Sequence, residues 1–187
     1  MKTYSRVLTV AGSDSGGGAG IQADIKAISA TGGYAATAIT AITVQNTIGV
    51  KDVFPVPVPY ISAQIEAVLE DIGADAVKIG MLHSSEVVHA VTEQLKRFDV
   101  SNIVLDPVMV STSGHRLIEE SAIATLCSEL VPMARVITPN IPEAEILVGH
   151  EISSQDELPA VARELSEMFS AKRPVSVLMK AGHLVDE

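Results

Sequence analysis

Hydrophobic and polar positions in this chain switch repeatedly between two spacings. Apolar runs rich in β-branched residues recur at Arg6 to Ala11 (RVLTVA), Ala35 to Val44 (AATAITAITV), Ala76 to Leu82 (AVKIGML), Asn102 to Val110 (NIVLDPVMV, interrupted by Asp106-Pro107), Arg135 to Thr138 (RVIT) and Pro174 to Lys180 (PVSVLMK). Such runs read as strands of a parallel sheet, and Ala35 to Val44 carries so little charge that it is expected to be buried on both faces. Between them the spacing turns helical. Ala19 to Ala30 carries a stripe at Ile21, Ile25 and Ile28; Ile61, Ile65, Val68, Leu69 and Ile72 form a second; Val87, Val88, Val91, Leu95 and Phe98 a third, behind a Ser84 or Ser85 cap. Ile118 to Val131 reads as a helix, Pro142 suits the first turn of a short one, and Ser154 with Glu157 has capping-box spacing before a helix that runs through Phe169. The proline-rich piece Phe54 to Pro59 is excluded from any central strand.

Six strands alternating with helices predict one α/β domain over residues 1–187, with a mostly parallel sheet and right-handed crossovers. Each strand run ends in a conspicuous group: a glycine loop, Gln45, Gly80-Met81, Asp106, Asn140 with Glu143, and Lys180. The carboxyl edge of such a sheet is where ligands bind in open α/β folds.

The densest of these endings is Ala11 to Asp24, AGSDSGGGAGIQAD, with five glycines between a strand and a helix. Its spacing is neither the G-x-G-x-x-G of a dinucleotide fold nor a Walker A loop, since no Lys-Ser/Thr pair follows. It reads as a loop offering backbone N–H groups to a ligand, or as a plain tight turn. Asp24 falls roughly 60° off the isoleucine stripe, close enough to meet a ligand, while Gln22 and Lys26 are expected to point to solvent. Its alternative is a favourable acid near the positive end of the helix.

Composition narrows the choices. The chain has 187 residues, 47% of them hydrophobic, and a formal charge of -10. That suffices for one substantial core and argues against a nucleic-acid surface. Cys127 is the single cysteine, so an internal disulfide and a cysteine metal cluster are both excluded, and it reads as a small core residue. The first apolar stretch is too short for a signal peptide or a membrane span, which makes a cytoplasmic protein the expectation. His83 and His183 follow strands, His89, His115 and His150 read as superficial, and no histidine pair has zinc-site spacing.

On the rim, Asp106, Asn140 and Glu143 are hard oxygen donors of the kind that hold Mg²⁺, and Lys180 is a compact cation suited to phosphate. Together they fit an ATP·Mg²⁺ site, where phosphoryl transfer needs positioning and charge neutralisation. Taken singly, Asp106-Pro107 is also a turn and Asn140 to Glu143 also a helix cap. Gln45 offers an uncharged amide suited to a neutral nitrogen heterocycle, or to its own turn, and Met81 and Val108 can wall such a pocket or pack in the core.

AGSDSGGGAGIQAD, VQNT (Val44 to Thr47), KIGML (Lys78 to Leu82), LDPVM (Leu105 to Met109), TPNIPE (Thr138 to Glu143) and MKAGH (Met179 to His183) occur in this order. In combination they resemble the hydroxymethylpyrimidine/phosphomethylpyrimidine kinases of thiamine biosynthesis, members of the ribokinase-like superfamily. The resemblance implies a three-layer α/β/α fold and an ATP- and Mg²⁺-dependent enzyme. Its substrate would be 4-amino-5-hydroxymethyl-2-methylpyrimidine and then the monophosphate. It implies that Gln45 hydrogen-bonds the pyrimidine and that Asp24, Gly12 and Ala19 line the pocket walled by Met81 and Val108. It further implies that Asn140 and Lys180 serve the nucleotide phosphates, and Asp106 and Glu143 the metal. A homodimer is one compatible assembly. Family members continue past this point into a G-T-G-C-like anion-hole segment carrying the group that activates the substrate hydroxyl. Nothing in the chain matches it, so the domain is expected to be cut short at its C-terminus, with no catalytic residue of its own. Ala181 also stands where the family commonly has glycine. A pyridoxal-type kinase and a non-catalytic pyrimidine-binding homologue are the competing expectations.

Overall fold

The computed structural model describes residues 3–109, 118–170 and 173–180. The expected polar loop Ser111 to Gly114, together with His115, Ala181 and His183, lies outside them.

The described residues form a seven-stranded sheet in the order β3-β2-β1-β4-β5-β6-β7. Its strands are β1 (Arg6–Asp14), β2 (Tyr34–Asn46), β3 (Gly49–Pro55), β4 (Ala76–Ile79), β5 (Ile103–Leu105), β6 (Val136–Ile137) and β7 (Ser176–Val177). The helices are α1 (Gly20–Ala30), α2 (Val58–Asp71), α3 (Ser85–Arg97), α4 (Glu120–Thr125), α5 (Ile141–Val148) and α6 (Leu158–Phe169). All neighbouring strands are parallel except β2 and β3. The α/β class with a mostly parallel sheet is thus as the spacing predicts. The strand the pattern missed is β3, an antiparallel edge strand of a hairpin. Pro55 ends it, where a missing N–H does no harm.

One face of the sheet carries the core. Leu8, Val10, Val77, Ile79, Ile103, Leu105 and Ile137 project from it into a cluster with Ile61 and Ile65 of α2, Val88, Val91 and Leu95 of α3, and Leu165 of α6. Each such side chain contributes about 1.5–3 kcal/mol by leaving water. Ser84 caps α3 by accepting from the Val87 N–H, as one of the two alternatives required. Gln64 of α2 bonds both backbone groups of Ile39 (2.9 and 3.1 Å), satisfying β2 beyond the end of β3.

Several local expectations need correcting. β2 is not buried on both faces: Ile42 and Val44 are 49% and 53% exposed, and Phe54, paired directly across from Ile42, is 63% exposed. The hairpin extends beyond the helices that would cover it. Ile25 lies at the solvent edge of α1, and the half-buried Asp24 occupies the inward line between Ile21 and Ile28. The helix expected at Ile118 to Val131 is α4 followed by a π-helical turn (Leu126–Leu130) and a 3₁₀ turn (Val131–Met133). Half-buried Cys127 in that turn packs against the core, and burial pushes its thiol pKa up. Ser154 does not form a capping box: its hydroxyl reaches the Glu157 side chain (3.3 Å) at the start of a 3₁₀ turn.

Candidate active site

The strand ends converge. A cavity of about 420 Å³ opens along the carboxyl edge of β1, β2, β4 and β5 and reaches the start of α5. Gly12, Ala19, Asp24, Gln45, Met81 and Val108 line it, and so do Asp106, Asn140, Glu143 and Lys180. The ten residues that the resemblance assigned to the site therefore border one space.

Its glycine-loop wall differs from the expectation. Three of the loop's N–H groups are consumed internally: the Asp14 carboxylate accepts from Gly16 (2.8 Å), Gly18 (2.9 Å) and Ala19 (2.8 Å). Burial raises the Asp14 carboxyl, but hydrogen bonds from Gly16, Ala19, Gly18 and Gly17 outweigh it and hold it below its ordinary value. Gln22 and Lys26 do not point idly to solvent. Gln22 accepts from the Asp14 N–H and donates to the Ser13 hydroxyl (both 2.8 Å), and the Lys26 ammonium donates to the Gly17 carbonyl (2.7 Å). The register of β1 against β2 slips between Ala11 and Ser13, bending the strand into the loop at Gly12.

At the same end of the cavity, Gln45 is fixed by its backbone. The Ser15 hydroxyl donates to its carbonyl (2.7 Å) and accepts from its N–H (3.0 Å). Its side-chain oxygen accepts from Thr43 (3.2 Å), whereas its NH₂ has no hydrogen-bond partner among the described residues. Asp24 is paired through Oδ2 with Lys78 (2.9 Å) and the Thr9 hydroxyl (2.5 Å). Thr40 donates to the Met81 carbonyl (2.7 Å) and so pins the β4 end against β2.

At the other end, Asn140 and Glu143 form a reciprocal capping box on α5: Asn140 Oδ1 accepts from the Glu143 N–H and Glu143 Oε2 from the Asn140 N–H, each at 2.9 Å. Glu143 is buried, and its Oε1 accepts from the Met109 N–H (3.3 Å). Burial pushes its carboxyl pKa up, aided by Asp106 and opposed by the Asn140 N–H, Lys180 and the Met109 N–H. Lys180 is set beside Asn140 by a parallel bridge, with its N–H donating to the Pro139 carbonyl (2.9 Å). Its ammonium lies 2.6 Å from Asp106 Oδ1 and 3.9 Å from Glu143 Oε2. The partner a lysine needs at the end of an apolar strand is thus the acid expected at the metal.

Among the described residues no group of three or more His, Cys, Asp or Glu side chains is arranged to hold a metal. Asp106 Oδ2 has no hydrogen-bond partner among them, and Glu143 stands close by across Lys180. This donor set of hard oxygens fits Mg²⁺ that arrives on a nucleotide and keeps much of its water, not an all-protein cage.

Sequence reasoning missed Asp14, Ser15 and Lys78. Asp14 had one available signal, an acid directly before a glycine run, the usual composition of a side chain that bonds its own loop. For Lys78 the signal was a lone charge inside an apolar strand run.

A mostly parallel sheet with its cavity at the strand carboxyl ends, a lysine and two acids beside a capped helix, and an amide at the far wall place the chain in the ribokinase-like class of α/β folds. Comparison with known proteins agrees. The family profile for phosphomethylpyrimidine kinase matches residues 14–187. The chain belongs to that family. It is 45% identical over 181 residues to the hydroxymethylpyrimidine/phosphomethylpyrimidine kinase of Escherichia coli (strain K12), covering 96% of this chain and 66% of that protein. Its fold matches the crystal structure of phosphomethylpyrimidine kinase from Clostridium difficile 630 with a TM-score of 0.87 at 48% identity, over 98% of this chain and 78% of the other. It also resembles the pyridoxal kinase from Staphylococcus aureus solved with AMP-PCP and pyridoxal, with a TM-score of 0.83 at 31% identity, over 100% of this chain and 65% of the other. The chain thus spans about two thirds of the length of the Escherichia coli relative.

Proposed function

We propose that this chain forms the substrate pocket and phosphate-metal site of an ATP- and Mg²⁺-dependent kinase. Its substrates are 4-amino-5-hydroxymethyl-2-methylpyrimidine and the corresponding monophosphate, on the route to thiamine diphosphate. The observation that carries the reading is the single cavity joining Gln45 and Asp24 to Asp106, Glu143 and Lys180. A flat, neutral ring fits the first end, where the free NH₂ of Gln45 donates to a ring nitrogen and Met81 and Val108 give apolar walls. Lys180 and Asn140 serve the triphosphate at the other end. Asp106 and Glu143 hold the metal, which when bound neutralises phosphate charge. Gly12 and Ala19 bring the wall close to the ring. This reading gives no residue of the chain the task of activating the substrate hydroxyl. It sets the enzyme in the cytoplasm, in keeping with the single Cys127; among the described residues no helix is long and apolar enough to cross a membrane.

Gln45→Ala is the direct test. Calorimetric titration is expected to show pyrimidine binding weakened about 10-fold, the effect of losing a hydrogen bond of about 1 kcal/mol or slightly more, with Mg·ATP binding unchanged. Equal losses for both ligands would mean that the amide only supports the hairpin. A pyridoxal-type kinase, which the Staphylococcus aureus likeness keeps in view, requires pyridoxal to bind more tightly than the pyrimidine in the same titration. A homodimer is part of the proposal. Ile42, Val44 and Phe54 form an exposed apolar row on the β2–β3 hairpin, a surface that a second copy can cover. Sedimentation of the chain as a monomer at micromolar concentration removes that part.

A further inference from the structure

Lys78 is a cation on the cavity wall to which the phosphate chemistry above gives no task. It sits on β4 in register with Thr9 of β1. Alternation along both strands turns this pair away from Leu8, Val10, Val77 and Ile79, which enter the core, and towards α1. There α1 sets Asp24, whose Oδ2 takes both the Thr9 hydroxyl and the Lys78 ammonium. The pair is largely shielded, with side chains 25% and 16% exposed. Gly80 keeps room for it: a Cβ there would stand 3.1 Å from the Lys78 ammonium and 3.0 Å from Ala11 Cβ. Asp24 Oδ1, by contrast, has no hydrogen-bond partner among the described residues, and Asp24 lines the cavity.

We propose that Lys78 is a positioning residue that, with Thr9, locks Asp24 through Oδ2 and so presents Oδ1 as a fixed anionic acceptor that selects amino-substituted heterocycles over their oxo counterparts. The proposal rests on the pyrimidine-kinase reading. An exocyclic amino group offers that oxygen an N–H. An oxo group in its place turns lone pairs towards a carboxylate that cannot rotate away, and a site built to receive an N–H rejects a ligand lacking it by orders of magnitude. Without Lys78 the carboxylate loses both its counter-charge and one of the two bonds that fix it.

The test is calorimetric titration of the full chain with 4-amino-5-hydroxymethyl-2-methylpyrimidine, its 4-oxo counterpart, and Mg·AMP-PNP. Wild type is expected to prefer the amino compound by roughly 100-fold or more. Lys78→Met is expected to lose about 10-fold or more in amino affinity and most of the preference, and Lys78→Arg to recover part of both, with nucleotide affinity changed by less than about twofold throughout. Should Lys78→Met fail to fold around an unpaired Asp24, the double variant Lys78→Met/Asp24→Asn removes the charge as well. It is expected to fold and bind the two compounds with no preference. Lys78→Met or the double variant retaining the wild-type preference overturns the role of Lys78 and leaves the kinase reading standing. Wild type binding neither pyrimidine overturns both.

Discussion

Gly20→Ala is expected to destabilise the protein by about 3 kcal/mol or more, a large share of the roughly 5–15 kcal/mol that holds an ordinary domain together. Gly20 opens α1 with φ +57, and a Cβ there would stand 2.3 Å from the Gly12 carbonyl oxygen. The obstacle is backbone, so no side-chain rotation relieves it. The loop, the bend in β1 and the start of α1 would have to separate, which also opens the wall that carries Asp14 and Ala19. Gly32→Ala is the internal control. Gly32 has φ +84 but nothing within 4 Å of its Cβ position, so only the left-handed backbone is penalised, by about 1 kcal/mol. Urea midpoints at unchanged m-value measure both. Equal shifts for the two variants would show that the close approach of Gly20 to Gly12 carries no energy.

Asp14→Asn is the second large effect. One carboxylate serves the N–H groups of Gly16, Gly18 and Ala19, and an amide keeps a single side-chain acceptor while turning its own N–H groups towards donors. The expected loss is about 2–3 kcal/mol at pH 7. Its pH dependence follows from the direction of the shift. The folded-state pKa of Asp14 lies below the ordinary 3.8, so the carboxylate's contribution is fully present above that value. It is lost as pH falls through the lower, folded-state pKa. The stability gap between wild type and Asp14→Asn should therefore be constant from pH 7 to 5 and close below about 4. Asp75, held down to about 2 by Arg6, titrates in both proteins and cancels from the difference. A gap that stays constant down to pH 3 would mean that Asp14 acts through its shape and not its charge.

The rim of the cavity was legible because chemistry-bearing residues interrupt apolar runs where strands end; Gln45, Asp106 and Lys180 announce themselves by contrast with their neighbours. Less legible was what each group is bonded to. The sequence pattern points Lys180 at phosphate and Asp106 at metal, whereas the structure pairs them with each other at 2.6 Å. They lie 74 positions apart, and nothing local encodes the meeting. The same distance problem hid the Lys78–Asp24 pair, which depends on β4 lying beside β1 although α1, β2, β3 and α2 intervene in the chain. The hairpin went unseen for another reason. β3 is polar at Lys51 and Asp52 and ends on a proline, so its strand character comes from pairing with β2 and not from its own composition. The spacing of Asn140 and Glu143 suits both a helix cap and a pair of ligands. The capping box is formed, and it sets both residues on the cavity wall beside Lys180.

The most direct measurement is a calorimetric titration of 4-amino-5-hydroxymethyl-2-methylpyrimidine into this chain already saturated with Mg·AMP-PNP. If one cleft holds a ring at Gln45 beside a metal-bound triphosphate at Lys180, the pyrimidine binds one-to-one with the nucleotide still in place. Displacement of the nucleotide by the pyrimidine, or no heat of binding with or without it, contradicts the two-ligand cavity.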